Sequence, residues 1–453
     1  MSRPVLLLAH GIVGRADLPI PIAIFGVAAA VVLVVSFLAL AAGWTRPRLE
    51  TFRERKLIRI PLAVEVVCGA LGVAAFAVTA YAGIAGTDSP SANLAPTAVY
   101  VGFWVGIPFV SLVLGDVFRL FSPWRAIGRA FGWVASRGDP PEPLPYPERL
   151  GHWPAAAGLL AFVICELSWA TAREPGPLGW LMLAYLVLML VGQGLYGVEA
   201  WTRRGDGFGA WFGMFGLLAP LARGDDGRLV VRPPVVGATR LRAGAGTAAL
   251  LIVGVASTAF DGASEGALFN DVRADLQDFF VSLGVSLGTG LGLAFLVGLI
   301  VAVALVGLVW LAGTAGMAAF GEGHGRRELS RRFAHTLVPI AVAYIVAHYF
   351  SLLAYNGQSL WPLASDPLGD GSDLFGGAGA GIDYSILTAT AIWYVQTAAL
   401  VIGHVAALVL AHDRALRVYG SAPAAVSSQI VMLVLMVCFT LLGLWLLSAA
   451  LNG

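Results

Sequence analysis

Runs of about 20 apolar residues, each bounded by charge or by Pro and Gly, recur along the whole chain, and they limit its fold more than any other feature. A bilayer core of roughly 30 Å is crossed by about 20 apolar residues in a helix. Ten such runs are present, beginning near Pro21, Pro61, Ala98, Trp153, Leu178, Gly244, Val281, Phe333, Ser385 and Ala424. Of the 453 residues, 58% are apolar and 12% charged, which is about half the charged share of a soluble chain. The expected fold class is therefore all-α, a polytopic integral membrane helix bundle of about ten transmembrane helices in the cell membrane.

If the connections alternate sides, segments 43–60, 113–152, 200–243, 320–332 and 411–423 share one side and hold 24 of the 28 basic residues. Arg3, Arg15, Arg173 and Arg273 are left for the other side, where Asp261, Glu265, Asp366, Asp370 and Asp373 lie. Lys and Arg are enriched in cytoplasmic loops, so both termini are expected outside the cytoplasm. A net charge of +1, with no basic tract interleaved with aromatics, gives nucleic acid nothing to bind. Cys68, Cys165 and Cys438 all sit in apolar runs and make no disulfide scaffold.

Residues 1–20 are read as an extracytoplasmic lead-in, since the apolar stretch Val5 to Leu8 is too short for a cleaved signal segment. Residues 21–453 then form a single ten-helix domain. Ser122 before Pro123 is a helix start, and Trp124, Ile127, Phe131 and Val134 recur at helical spacing opposite Arg125 and Arg129. Residues 123–135 are thus expected as a helix lying in the inner interface. The seventh run, Val281 to Phe320, has about twice the length of one span and is kept as one long or tilted helix behind an interfacial stretch. Gly284, Gly288 and Gly292 recur every four residues, a spacing that would make a smooth ridge for a packing partner. The outer segment 356–384 is Gly-rich and acidic, and is read as a solvated loop. Its aspartates do not reproduce a calcium loop, and Gly376, Gly377, Gly379 and Gly381 lack the Lys and Ser or Thr of a phosphate-binding loop.

An ionisable group inside a span costs about 3 kcal/mol unless paired, so such positions are functional candidates by default. Depth along the antiparallel spans sorts them into two sparse layers. The outer layer holds Glu166, His348 and Gln396, with His10 and Asp261 above it; the inner one holds Glu65, Gln193, His335 and His404. Neutral imidazole with carboxylate suits divalent cations, and a bound metal lets water attack at neutral pH. His10, His348, Glu166 and His404 are therefore the candidate ligands for a divalent metal. No H-E-x-x-H, C-x-x-C or Glu-x-x-His on one helix accompanies them, and no G-x-S-x-G elbow appears.

The lead-in His10-Gly11-Ile12-Val13-Gly14-Arg15-Ala16-Asp17-Leu18-Pro19-Ile20-Pro21 and the segment Phe118-Arg119-Leu120-Phe121-Ser122-Pro123-Trp124-Arg125 carry a likeness. So do Ala347-His348-Tyr349-Phe350-Ser351, Gly403-His404-Val405 and Ala411-His412-Asp413-Arg414. With these the chain resembles actinobacterial polytopic membrane proteins labelled fenitrothion hydrolase. The resemblance implies a membrane-bound organophosphate ester hydrolase. In that reading water held by His348, Glu166 or His10 attacks a phosphoester near the outer face, and Arg15 neutralises charge on the phosphoryl oxygens. Two other classes stay open. One is a secondary transporter or channel for a small solute or ion, built as two inverted five-span halves; the other is a non-catalytic assembly partner.

Overall fold

The computed structural model describes residues 22–138, 142–224, 226–320 and 323–452. Its main helices are α1 Ile22–Gly43, α2 Leu62–Ala85, α3 Leu94–Leu114, α4 Pro123–Ala135, α5 Trp153–Ser168 and α6 Pro175–Tyr196. They are followed by α7 Thr247–Ser264, α8 Ala267–Ser282, α9 Leu287–Phe320, α10 Leu337–Asn356, α11 Ala389–Val418 and α12 Ala422–Asn452. Among the described residues nine helices are long and apolar enough to cross a membrane, and α5 is a shorter apolar helix of 16 residues. Each of the ten apolar runs forms one of these helices.

Their surfaces are apolar outward as well as inward. On α1, Ile24, Val27, Val31, Val35 and Leu38 are more than half exposed, whereas Leu33 and Phe37 pack on Ala407, Leu408 and Met436. Gln193, Gln396, His404 and Gln429 are buried instead. That inverts the arrangement of a soluble protein and is consistent with a lipid environment. Helices approach closely where a side chain is missing, as small residues allow. A Cβ on Gly403 of α11 would fall 2.4 Å from the Ala343 Cβ and 2.7 Å from the Pro339 carbonyl of α10.

The basic segments meet at one end of the bundle, held by glutamates that each contact two arginines. Glu65 bonds Arg129 at 2.5 Å and Arg223 at 2.6 Å, and Glu199 bonds Arg125 at 2.6 Å and Arg119 at 2.7 Å. Glu54 holds Arg232 at 3.1 Å and Arg240 at 2.7 Å, and Glu50 contacts Arg414 and Arg417. His324 reaches the Val418 carbonyl at 3.2 Å, which ties in segment 320–332. Burial works against an ionised Glu199, but Arg125 and Arg119 outweigh it and hold the carboxyl down at about 2. A small antiparallel sheet, which the all-α expectation did not include, lies here too. Strand β1 Arg55–Arg59 pairs with β3 Arg228–Val231, and β3 with β2 Leu221–Arg223. Helix α1 ends at this end and α12 begins there, so Ile22 and Asn452 both lie at the far one.

The structure adds detail to three expectations and overturns one of them. Helix α4 does start at Ser122, whose Oγ accepts from the Arg125 N–H at 3.3 Å. Its first turn is tied to the bundle: Arg125 is buried against Glu199, and the Trp124 indole donates to Asp206 at 2.7 Å. Phe131, Trp133 and Val134 are its exposed apolar positions. The glycine ridge does not form, because Gly284, with φ +93°, sits in the turn between α8 and α9. Gly288 faces open space, and Gly292 alone packs closely, against the Ser168 carbonyl of α5. In segment 356–384 the acids serve local turns. Asp366 accepts from the N–H groups of Asp370 and Gly371, and Asp373 from Ser365 Oγ at 2.6 Å and Ala378 N–H at 3.0 Å.

The starts of α5 and α7 are locked side by side. His152 donates its N–H to the Ala245 carbonyl at 2.7 Å, and its Nδ1 lies 2.9 Å from the Thr247 hydroxyl. Burial, aided by Arg204, pushes this imidazole down from 6.5 to about 4. The unfolded chain therefore binds a proton below about pH 6.5 that the folded one refuses until about pH 4, so this contribution to stability is lost as pH falls through that window. In detergent, the drop in melting temperature between pH 7 and pH 4 is expected to be smaller in His152→Gln than in the parent chain; equal drops would refute the assignment. Gly403→Val should destabilise the bundle by about 1–3 kcal/mol through overpacking against Pro339 and Ala343, read as a lower melting temperature at fixed pH.

Candidate functional site

At the end opposite the arginines, α7, α10 and α5 bring ionisable side chains together inside the bundle. Asp261, in the last turn of α7, is 5% exposed. Its Oδ2 lies 2.8 Å from His348 Nε2 and accepts from the Tyr349 hydroxyl at 2.9 Å. Adjacent residues on α10 thus converge on one carboxylate oxygen, their rings 4.5 Å apart. A carboxylate can only accept, so Nε2 carries the imidazole proton and Nδ1 keeps the lone pair, an assignment made from the network. Nδ1 faces Gly262, where an added Cβ would stand 3.3 Å away. With its side chain 11% exposed, His348 is reachable from outside the core.

Glu166, near the end of α5, is buried and lies within Coulombic reach of Asp261, Tyr349 and Arg173. No described residue donates a hydrogen bond to its carboxyl. Facing it is α3, whose central turns Ala98–Gly106 are wound as a π-helix. Such stretches occur often at functional sites because they re-aim side chains within a helix. Here Tyr100, also within Coulombic reach of Glu166 and Arg173, donates its hydroxyl to the Ala172 carbonyl at 3.3 Å. Trp104 is fully buried, its ring 4.9 Å from that of Phe162 on α5.

The outer layer expected from sequence is therefore only partly assembled. His348 is in the site, with Glu166 in the same electrostatic cluster. Gln396 is buried on α11, and His348 bonds Asp261 instead. His10 and Arg15 lie outside the described residues. His404 stands apart, fully buried on α11 with Nδ1 2.7 Å from the Leu400 carbonyl of its own helix. The inner layer does not exist as a group. Glu65 belongs to the arginine clamps, and Gln193 Nε2 reaches Thr202 Oγ1 at 3.5 Å. His335 is enclosed where α10 begins.

Among the described residues no three His, Cys, Asp or Glu side chains converge to hold a metal ion. Of the four candidate ligands, His348 gives Nε2 to Asp261, His404 is elsewhere, and His10 lies outside the described residues. No step is therefore routed through a metal. Two members of the site were missed in the sequence. Asp261 was placed above the layer as a loop acid, although the apolar run before it continues helically to Ser264. Tyr349 carried no signal beyond its place beside His348. Comparison with protein-family models, curated proteins and solved structures gave no match to this chain.

Proposed function

We propose that this chain is a multi-pass protein of the cell membrane, with its arginine-clamped end on the cytoplasmic side and both termini on the other. Within it, the Asp261–His348 pair serves as a general base that activates water for ester hydrolysis near the outer face. The observation that supports this reading is the geometry of His348. Asp261 fixes the tautomer through Nε2 and leaves the Nδ1 lone pair directed toward Gly262, which carries no side chain to crowd it. The resemblance to fenitrothion hydrolase-labelled proteins narrows the ester to an organophosphate.

In this mechanism Nδ1 takes a proton from water as its oxygen attacks phosphorus. The bond from phosphorus to the leaving oxygen then breaks, and the imidazolium returns the proton to that oxygen. Asp261 stabilises the transient imidazolium, as a carboxylate behind a catalytic histidine does. Tyr349 holds the carboxylate in place. Arg173 supplies positive charge beside Glu166 at the rim of the site.

Purified protein in detergent, assayed with a neutral aryl phosphotriester, is expected to turn over. His348→Ala should lower turnover about 100-fold or more, the usual contribution of a general base, with melting temperature and helicity retained. Gly262→Val should act comparably by crowding Nδ1. Unchanged turnover in folded His348→Ala would refute the mechanism. So would a parent chain that hydrolyses nothing yet carries gradient-driven flux in proteoliposomes.

A further inference from the structure

At the basic end of the bundle, positive charge gathers beside Glu65 in excess of the acids that face it. Glu65, in the first turn of α2, gives one oxygen to Arg129 of α4 and the other to Arg223 of β2. Arg59 stands opposite Arg228 where β1 pairs with β3. Like charges so placed repel, and an anion between them would remove that cost. Neither side chain forms a hydrogen bond or ion pair among the described residues. Lys56 and Asp226 pair nearby at 2.8 Å. Lys56, Arg59, Arg129, Arg223 and Arg228 therefore stand against Glu65 and Asp226. Asp225 lies outside the described residues; even counting it from the sequence, cations lead five to three.

The turn from β2 to β3 leaves a gap among these groups. Gly227 sits there at φ +79°, a conformation that glycine adopts freely. A Cβ at this position would stand 3.7 Å from Arg59 Nε, 3.7 Å from Arg223 Nη2 and 4.0 Å from Arg223 Nε, with no other atom nearer. Two guanidinium groups thus flank one open point. Of those three nitrogens Arg223 Nη2 alone has a partner among the described residues, Glu65. Arg223 Nη1 is buried with none, so donors outnumber acceptors here.

Hydrocarbon lies beside the charge. Ile58 of β1 is 72% exposed, and Leu62 at the start of α2 is 65% exposed. Glu65 pairs with Arg129, and a Cβ on Gly69 would meet the Ala126 Cβ at 2.9 Å, so α2 and α4 run antiparallel and Trp133 comes level with Leu62. The Arg137 guanidinium lies 3.9 Å from the centre of the exposed Trp133 ring. Tryptophan and arginine beside open aliphatic side chains belong at the depth of lipid headgroups.

We infer that Arg59, Arg223 and Arg228 hold a phosphate group over Gly227, and that an anionic phospholipid of the adjoining leaflet supplies it. Guanidinium groups suit phosphate because their planar fork donates parallel hydrogen bonds to its oxygens. Glu65 holds Arg223 in place for this, and the acyl chains run past Ile58 and Leu62. A zwitterionic lipid has the same phosphate but brings a cation of its own, which the surplus of arginine repels. Inorganic phosphate has the charge but makes no use of the hydrocarbon.

The test uses full-length protein, delipidated in detergent and titrated with dioctanoyl phosphatidylglycerol, dioctanoyl phosphatidylcholine and inorganic phosphate, with native mass spectrometry and melting temperature as readouts. Phosphatidylglycerol is expected to bind one per chain, about tenfold or more tighter than phosphatidylcholine, and to raise the melting temperature. Arg59→Gln with Arg228→Gln leaves the Glu65 clamp intact. This double variant should bind phosphatidylglycerol about tenfold or more weakly, as expected for lost charge-assisted hydrogen bonds, and melt no lower than the parent in the absence of lipid. Arg326→Gln with Arg327→Gln removes equal charge from an exposed segment at the same end and should leave the affinity unchanged. An equal loss in both double variants would overturn the site in favour of diffuse attraction to a basic surface; so would phosphatidylcholine binding as tightly as phosphatidylglycerol. Stabilisation by inorganic phosphate at the same concentrations would overturn the lipid assignment and leave a soluble phosphate as the ligand. None of these outcomes depends on whether the Asp261–His348 pair hydrolyses esters.

Discussion

An apolar exterior permits charge only at the ends of the helices or in fully paired clusters within, and the rest of this structure follows from that constraint. Exposed ion pairs contribute little singly. The clamps built on Glu50, Glu54, Glu65 and Glu199 differ in that each carboxylate joins two arginines and several are largely buried. Glu54 ties segment 43–60 to 200–243, Glu50 ties it to 411–423, and Glu65 joins 113–152 to 200–243 through Arg129 and Arg223. The segments that share basic composition thus also share contacts, so one end of the bundle is cross-linked by residues far apart in sequence. Removing one partner of such a buried pair would strand the other in a medium that cannot solvate it.

The Asp261 cluster is the exception that this constraint makes informative. A carboxylate in the last turn of a buried helix is costly to keep, and among the described residues its oxygen is met by His348 and Tyr349. Packing of α10 on α11 at Gly403 fixes the helix that carries His348. Around Phe162, the contacts of Trp104 and Tyr100 fix α3 against α5, which carries Glu166. The site is held by helices rather than by loops, as a preorganised centre requires.

Much of the fold was legible because lipid-length apolar runs and the positions of arginines are local properties of the sequence. All ten runs are helices, and the segments sorted together by charge do meet at one end. Ser122 and Pro123 marked the start of α4 correctly through capping chemistry. What sequence could not supply was register between helices. Counting residues from span ends placed Glu65, Gln193, His335 and His404 at one depth, yet Glu65 pairs with Arg129 and Arg223, Gln193 reaches Thr202, and His404 bonds its own helix. It placed Asp261 outside, although one further turn of α7 brings it under His348. The β1–β3–β2 pairing and the π-helical turns of α3 arise from contacts between distant segments and left no periodic trace. The Gly284 ridge failed for a local reason, since its first member is the turn that separates two helices.

The central claim is that the arginine-clamped end and the aspartate-bearing end of the bundle face opposite sides of a membrane. Single cysteines at Arg228 in β3 and at Asp383 before α11, in a chain with the native cysteines removed, probe the two ends directly with a membrane-impermeant maleimide. In intact cells the account predicts labelling at position 383 and none at position 228 until the membrane is permeabilised. Labelling of both positions from the same side, or of 228 alone, would contradict it.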